Sequence, residues 1–276
     1  MYENEMQKIS DSSEAKIEFM KKSPLGYLIL SALAGIYLGF GIVLIFSISG
    51  PIASSGGEAY LKLIMGSCFG IALSLVIFAG AELFTGNNMV FAVSTLMKRV
   101  GYGPILILFT LCFIGNLLGS VFLSWLVVAG GSLSDASNEL ILKVAATKMS
   151  LSPKEAFLRG ILCNWLVCLA LWISLRTQSE TARLIMVFWC LFAFIGSGFE
   201  HSIANQTLLS LAMLLPHGLD ISLAAYIHNQ VFVTLGNIVG GGAFVGAVYW
   251  FVSPSMYMTG EAKIKTTLQK FAERND

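Results

Sequence analysis

Ser197-Gly198-Phe199-Glu200-His201-Ser202-Ile203-Ala204-Asn205 sets a glutamate and a histidine in the middle of an otherwise uncharged apolar run over residues 184–215. Ionisable side chains at membrane depth are costly, and they are tolerated where they face a protein-lined cavity or a pathway. The stretch therefore reads as the middle of a pore. Its surroundings agree: 56% of the 276 residues are hydrophobic and 12% are charged, with a mean hydropathy of +0.76, against roughly 25% charged residues in a soluble domain. A net charge of +1 leaves no basic surface able to neutralise many phosphates, so a nucleic-acid partner is excluded. The five cysteines are odd in number and lie in apolar runs; they read as small buried side chains, not a disulfide framework.

Residues 59–97 pose the same problem upstream. One helix of that length would reach roughly 58 Å, about twice the hydrocarbon thickness. It must break, and the place is Phe78-Ala79-Gly80-Ala81-Glu82-Leu83-Phe84-Thr85-Gly86-Asn87-Asn88, where an acid, two glycines and two asparagines interrupt the apolar pattern. Residues 25–49, 103–129, 153–175 and 229–252 each read as one uninterrupted span. Gly35 and Gly39, four apart, mark a close helix contact in the first. Residues 1–24 are polar and lack a signal-peptide core, so they are expected to persist as a cytoplasmic helix or arm. Residues 253–276 read as a cytoplasmic tail.

Charge placement sets the number of crossings. If each interrupted segment crosses once, Lys8, Lys16, Lys21, Lys22, Lys98, Arg99, Arg176, Arg183, Lys263, Lys265, Lys270 and Arg274 lie inside, twelve of seventeen basic residues. Such asymmetry follows the positive-inside rule. The expected fold is an all-α membrane domain over residues 25–252, with six transmembrane helices and both termini cytoplasmic. The second and fifth helices are expected to break at mid-membrane.

A weak repeat runs through the domain. Gly115-Asn116-Leu117-Leu118-Gly119 recurs as Gly236-Asn237-Ile238-Val239-Gly240, Gly80-Ala81-Glu82 as Gly198-Phe199-Glu200, and Gly35 near Gly160. The halves, about 25–130 and 153–252, hold three spans each and must therefore be inverted. Paired interrupted helices point to a transport site at the midplane, where restarted half-helices aim N–H groups and partial positive charge at the break. An anion is favoured there. Glu82 and Glu200 read as structural acceptors for the freed backbone, and His201 as a group able to titrate near neutral pH.

Together, Gly80-Ala81-Glu82-Leu83-Phe84-Thr85-Gly86-Asn87, the stretch 197–205 and Gly236-Asn237-Ile238-Val239-Gly240-Gly241-Gly242 resemble the signature stretches of the formate/nitrite transporter family. The resemblance implies an aquaporin-like fold, a homopentamer with one pore per protomer in a bacterial cytoplasmic (inner) membrane, and passage of hydrosulfide, formate or nitrite together with protons. By the same resemblance the loop at Thr85 is mobile and gates the cytoplasmic side, Thr85 offers its hydroxyl to the anion, and His201 is the central histidine. Leu83 and Phe194 form the apolar constriction beside it, and Phe69 and Leu73 line the pore. Asn164 is a polar partner of the histidine, and Lys148 supports it electrostatically. Lys16, Lys148 and the F-T-G-N-N form of the loop resemble the hydrosulfide-channel branch more than the formate or nitrite branches, which puts hydrosulfide first.

Rival classes fare worse. Neither interrupted segment carries the Asn-Pro-Ala motif of a water channel, and three histidines, with His217 and His228 at one edge, are too few for a haem or metal enzyme. No nucleophile with base and orienting group can be placed at one depth. No cofactor or metal is expected, and the chain does not read as an enzyme. Proton-coupled secondary transport of formate or nitrite stands as the alternative to a channel.

Overall fold

A computed structural model describes residues 2–218 and 220–253. The tail expected over 253–276 lies, apart from Ser253, outside the described residues, as do Lys263, Lys265, Lys270 and Arg274. All regular structure among the described residues is helical.

The first helix, α1 (Glu3–Lys22), opens with Glu3 and Glu5 and ends with Lys21 and Lys22, charges that complement its dipole. It buries Met6, Ile9, Ser13, Ile17 and Met20 along one face. Ser23 then caps α2 (Pro24–Ser54), whose first position is Pro24, where a missing N–H costs nothing. α2 continues past residue 49 through Pro51. After it come α3 (Leu61–Leu75), a π turn over Val76–Gly80, extended backbone at residues 81–83, and α4 (Phe84–Leu96). α5 (Tyr102–Ala129) closes the first half of the chain.

The connection at 130–152, which has no strong pattern in the sequence, holds a helix, α6 (Asp135–Met149). Ser134 caps it, and Ile141, Ala145 and Met149 are buried at four-residue spacing. α7 (Pro153–Arg176) begins in a capping box of Ser152 and Glu155. α8 (Glu180–Gly196) ends in a Schellman turn, with the Phe199 N–H bonded to the Phe194 carbonyl and the Gly198 N–H to the Ile195 carbonyl. The backbone is irregular at 197–201 before α9 (Ser202–Leu214). α10 (Leu223–Gly241), a π turn over Gly242–Ala247 and α11 (Val248–Phe251) follow.

Among the described residues, five helical stretches are long and apolar enough to cross a membrane by themselves: Pro24–Ser54, Glu58–Gly80, Tyr102–Ala129, Pro153–Arg176 and Leu223–Phe251. Six were expected. The difference lies at residues 184–215, where the turn after α8 leaves two pieces of 17 and 13 residues. Gly80 and Gly198, with φ of +78° and +72°, make the two turns; a side chain at either would force strained backbone.

α2 packs on α5 and α7 on α10 through backbone contacts that small residues permit. A Cβ on Gly35 would collide with the Asn116 carbonyl, and one on Gly236 with the Phe157 carbonyl. Gly39 sits against Leu123 and Thr207. The contacts also correct one correspondence. Asn116 Nδ2 donates to the Ser31 carbonyl and Asn237 Nδ2 to the Gly160 carbonyl, so Gly160 matches Ser31, not Gly35. The small residues of α2 are too alike for identity alone to fix the register.

α1 folds back under this assembly. Tyr2 meets the rings of Trp172 and Tyr249 edge-on at 5.6 and 5.4 Å, and the Arg176 guanidinium lies 5.0 Å over it. Arg99 donates to both Glu14 oxygens at 2.6 and 3.1 Å, which holds that carboxylate below its usual range.

Gly236→Ala should therefore destabilise the α7/α10 contact by about 1–3 kcal/mol and lower the melting temperature of purified protein, while Gly103→Ala, in open space, should leave it unchanged. Because the Glu14 pKa is depressed by folding, its support for α1 docking is present above the unfolded pKa and is lost as pH falls through the folded value. Hydrogen-exchange protection of α1 should fall on acidification below about pH 4, and Arg99→Gln should flatten that dependence.

Candidate functional site

The irregular backbone is held by two asparagines that do the same work. Asn116 on α5 accepts the Phe84 N–H on Oδ1 and donates Nδ2 to the carbonyls of Ser31 and Glu82. Asn237 on α10 accepts the Ser202 N–H on Oδ1 and donates to the carbonyls of Gly160 and Glu200. Each therefore satisfies the first N–H of a restarted helix and a carbonyl freed by the interruption, groups that are costly to leave bare. The Glu82 N–H reaches the Leu30 carbonyl and the Glu200 N–H the Arg159 carbonyl, completing both junctions.

The glutamates add a second matched layer. Glu200, 2% exposed, accepts from Lys148 Nζ at 2.7 Å and from Asn205 Nδ2 at 2.7 Å. Glu82 accepts from Lys16 Nζ, from Tyr27 Oη at 3.1 Å and from Asn87 Nδ2 at 3.3 Å. Lys148 reaches in from α6 and Lys16 from α1, so each half brings a lysine from a flanking helix to the carboxylate at its interruption. From the sequence, Lys148 was expected to support His201 and Lys16 had no partner; neither was matched to a glutamate.

The N-termini of α4 and α9 meet at Thr85 and His201. His201 caps α9, its Nδ1 accepting the Ala204 N–H at 3.2 Å. With Nδ1 an acceptor, the neutral imidazole carries its proton on Nε2, 3.1 Å from Thr85 Oγ1. The threonine oxygen then accepts from the ring, and its own hydroxyl proton is left to donate elsewhere. Asn164 contacts the other side of this pair. Its Nδ2 donates to the Thr85 and Asn237 carbonyls at 3.1 and 2.6 Å, with no hydrogen bond to His201. It steadies Thr85, so the expected direct partnership with the histidine is replaced by an indirect one.

Three spaces lie in a row at this junction. A cavity of about 310 Å³ is lined by Lys8, Lys16, Arg183 and Asn87 and ends on Leu73 and Leu83. A cavity of about 300 Å³ is lined by Lys62, Lys148, Arg159 and Glu200 and ends on Phe194 and His201. Between them is a chamber of about 10 Å³ walled by Phe69, Leu73, Leu83, Phe194 and His201, room for about one water. Phe69 meets Phe194 edge-on at 5.8 Å, and the Phe194 ring stacks near His201 at 5.9 Å. The four apolar residues singled out from the sequence thus share one chamber with the histidine. His228 is elsewhere, bonded to the Leu151 carbonyl at 2.9 Å. Among the described residues no group of three or more His, Cys, Asp or Glu is placed to hold a metal.

Sequence reasoning gave no roles to Asn87, Asn116, Asn205, Asn237 or Tyr27. The recurrence of Gly-Asn-x-x-Gly was the available signal for Asn116 and Asn237. Tyr27 and the glutamate-bound Asn87 had none outside the loop motif.

A family model described as formate/nitrite transporter matches residues 3–251. The chain is 39% identical over 265 residues to the nitrite transporter NirC of Salmonella typhimurium, covering 96% of this chain and 97% of that protein. It is 37% identical over 252 residues to a probable formate transporter of Methanothermobacter thermautotrophicus, covering 85% and 91%. Among solved structures, an FNT family ion channel superposes with a TM-score of 0.86 at 39% identity over 90% of this chain and 98% of that one. A pentameric formate channel with formate bound gives 0.74 at 29% identity over 84% and 98%.

Removing one partner of a buried ion pair leaves the other uncompensated, so Lys148→Met should destabilise the protein by about 3–5 kcal/mol. Adding Glu200→Gln should recover a large part of that loss. Melting of the two single variants and the double variant measures the coupling; additive effects would show that the pair contributes nothing as a pair.

Proposed function

Because this chain belongs to the formate/nitrite transporter family, and is thus a transport protein and not an enzyme, we propose that it forms a pore for small monovalent weak-acid anions, closed at the His201 chamber. We place it as a homopentamer in a bacterial cytoplasmic membrane with one pore per protomer. Each protomer crosses six times in two inverted halves, with α3/α4 and α8/α9 each making one interrupted crossing and both termini inside. The matched bonds of Asn116 with Asn237 and of Lys16–Glu82 with Lys148–Glu200 support the two halves. The pentameric state of the formate channel that superposes on this chain supports the assembly.

One observation carries the reading: two basic cavities are separated by an apolar chamber with room for about one water, with His201 in its wall and the buried Thr85 bonded to that histidine from behind. Apolar walls refuse a hydrated ion, since bare charge in such surroundings costs several kcal/mol. A weak-acid anion has two ways to lower that cost. It accepts the Thr85 hydroxyl proton as a hydrogen bond in the field of two helix N-termini, or it leaves with a proton as the neutral acid. His201 joins these routes. Protonating Nδ1 removes the acceptor that caps α9, so gaining charge at the histidine and keeping the cap exclude each other.

Nitrite takes first place among the anions. Lys16 and Lys148 both bind the carboxylates at the interruptions, so they answer to the architecture and do not single out hydrosulfide. The names of the relatives at 39% and 40% identity favour nitrite. Hydrosulfide and formate follow as the other substrates, and proton-coupled transport remains the alternative mechanism.

Purified protein in liposomes should pass nitrite down its gradient, and an imposed pH gradient should fail to drive nitrite uphill if it crosses as the bare anion; uphill movement would show that a proton crosses with it. His201→Ala and His201→Asn should change the pH dependence of flux; an unchanged profile in either removes histidine gating. Thr85→Ala should cut nitrite flux about tenfold, the lower bound for one well-placed charge-assisted hydrogen bond, with assembly retained.

A further inference from the structure

The cavity on the Lys16 side holds three cationic side chains with different company. Lys16 is bound to Glu82. Lys8 Nζ donates to the Leu175 carbonyl at the end of α7, at 3.3 Å. Arg183, in the first turn of α8, lines the same cavity, and its Nε is buried with no hydrogen-bond partner among the described residues. It forms no ion pair with the described residues. Ser12 and Ser174 complete the polar lining around it.

A guanidinium is permanently charged and offers its N–H groups as a planar fork. A guanidinium that lines a cavity and has no ion-pair partner among the described residues can take an acceptor that arrives from outside. Nitrite and formate each present two oxygens in one plane, the shape that a guanidinium binds through two parallel hydrogen bonds. Hydrosulfide presents a single sulfur and cannot make that contact. The cavity, about 310 Å³, also leaves space for an anion that keeps part of its water while docked.

The opposite cavity lacks this feature. By the spacing that relates Glu82 to Glu200, Arg183 corresponds to Met65, which lines the other cavity. The arginine there, Arg159, leans on Glu155 at 3.8 Å.

We propose that Arg183 is a specificity-determining residue, forming a docking site on one side of the pore that selects two-oxygen monoanions over hydrosulfide before the His201 chamber. The proposal rests on the anion-pore reading above and adds the residue that ranks its substrates. The test is initial flux of nitrite, formate and hydrosulfide, at equal subsaturating concentrations, through wild type, Arg183→Lys and Arg183→Met in liposomes, with assembled size checked for each. Both variants should lower the nitrite:hydrosulfide and formate:hydrosulfide ratios by roughly twofold to fivefold, the scale of a part-exposed ion pair. Unchanged ratios in a wild type that conducts nitrite would overturn the site alone. Ratios kept in Arg183→Lys but lost in Arg183→Met would also overturn it, since bare charge would then suffice. A wild type that passes neither nitrite nor formate would take down the anion-pore reading and this site with it. Arg183→Lys keeps charge and length, so it carries the test if Arg183→Met fails to assemble.

Discussion

A chain that leaves its helix inside an apolar slab must find a partner for every N–H and carbonyl it frees. That requirement organises this protein. Asn116 and Asn237 each spend an amide on it, joining the first N–H of the restarted helix to a carbonyl of the interruption and to a neighbouring helix. The close packing of α2 on α5 and of α7 on α10 follows, because an asparagine reaches the Ser31 or Gly160 carbonyl only when the backbones nearly touch. The glycines of these helices are thus part of the same arrangement as the interruptions they support.

Charge is distributed by the same logic. The two carboxylates stand at the interruptions, each neutralised by a lysine brought from a flanking helix, α1 for Glu82 and α6 for Glu200. Lys8 and Arg183 line one cavity and Lys62 and Arg159 the other, and the chamber between is uncharged apart from the state of one imidazole.

Much of this was legible in the sequence, for a physical reason. Glu82, Glu200 and His201 stand out because an ionisable group in an apolar run has few allowed environments. The interruptions stand out because residues 59–97 exceed any bilayer. α6 was hidden because its buried face is short and its other faces are polar. The register of Gly160 was misread because glycine, alanine and serine serve a close helix contact equally well. Asn164 reaches the histidine only through Thr85, a link the sequence does not show, since a buried amide is equally content with a backbone carbonyl. Arg183 was counted only as an inside charge, and its idle Nε is visible only once the cavity has walls.

The chamber beside His201 has a bearing on bioenergetics. Protons cross membranes rapidly along files of hydrogen-bonded water, and a space for about one molecule between leucines and phenylalanines cannot hold such a file. Closed at this chamber, the protein offers protons no relay of their own, and any that crossed would have to be carried by an anion travelling as its acid.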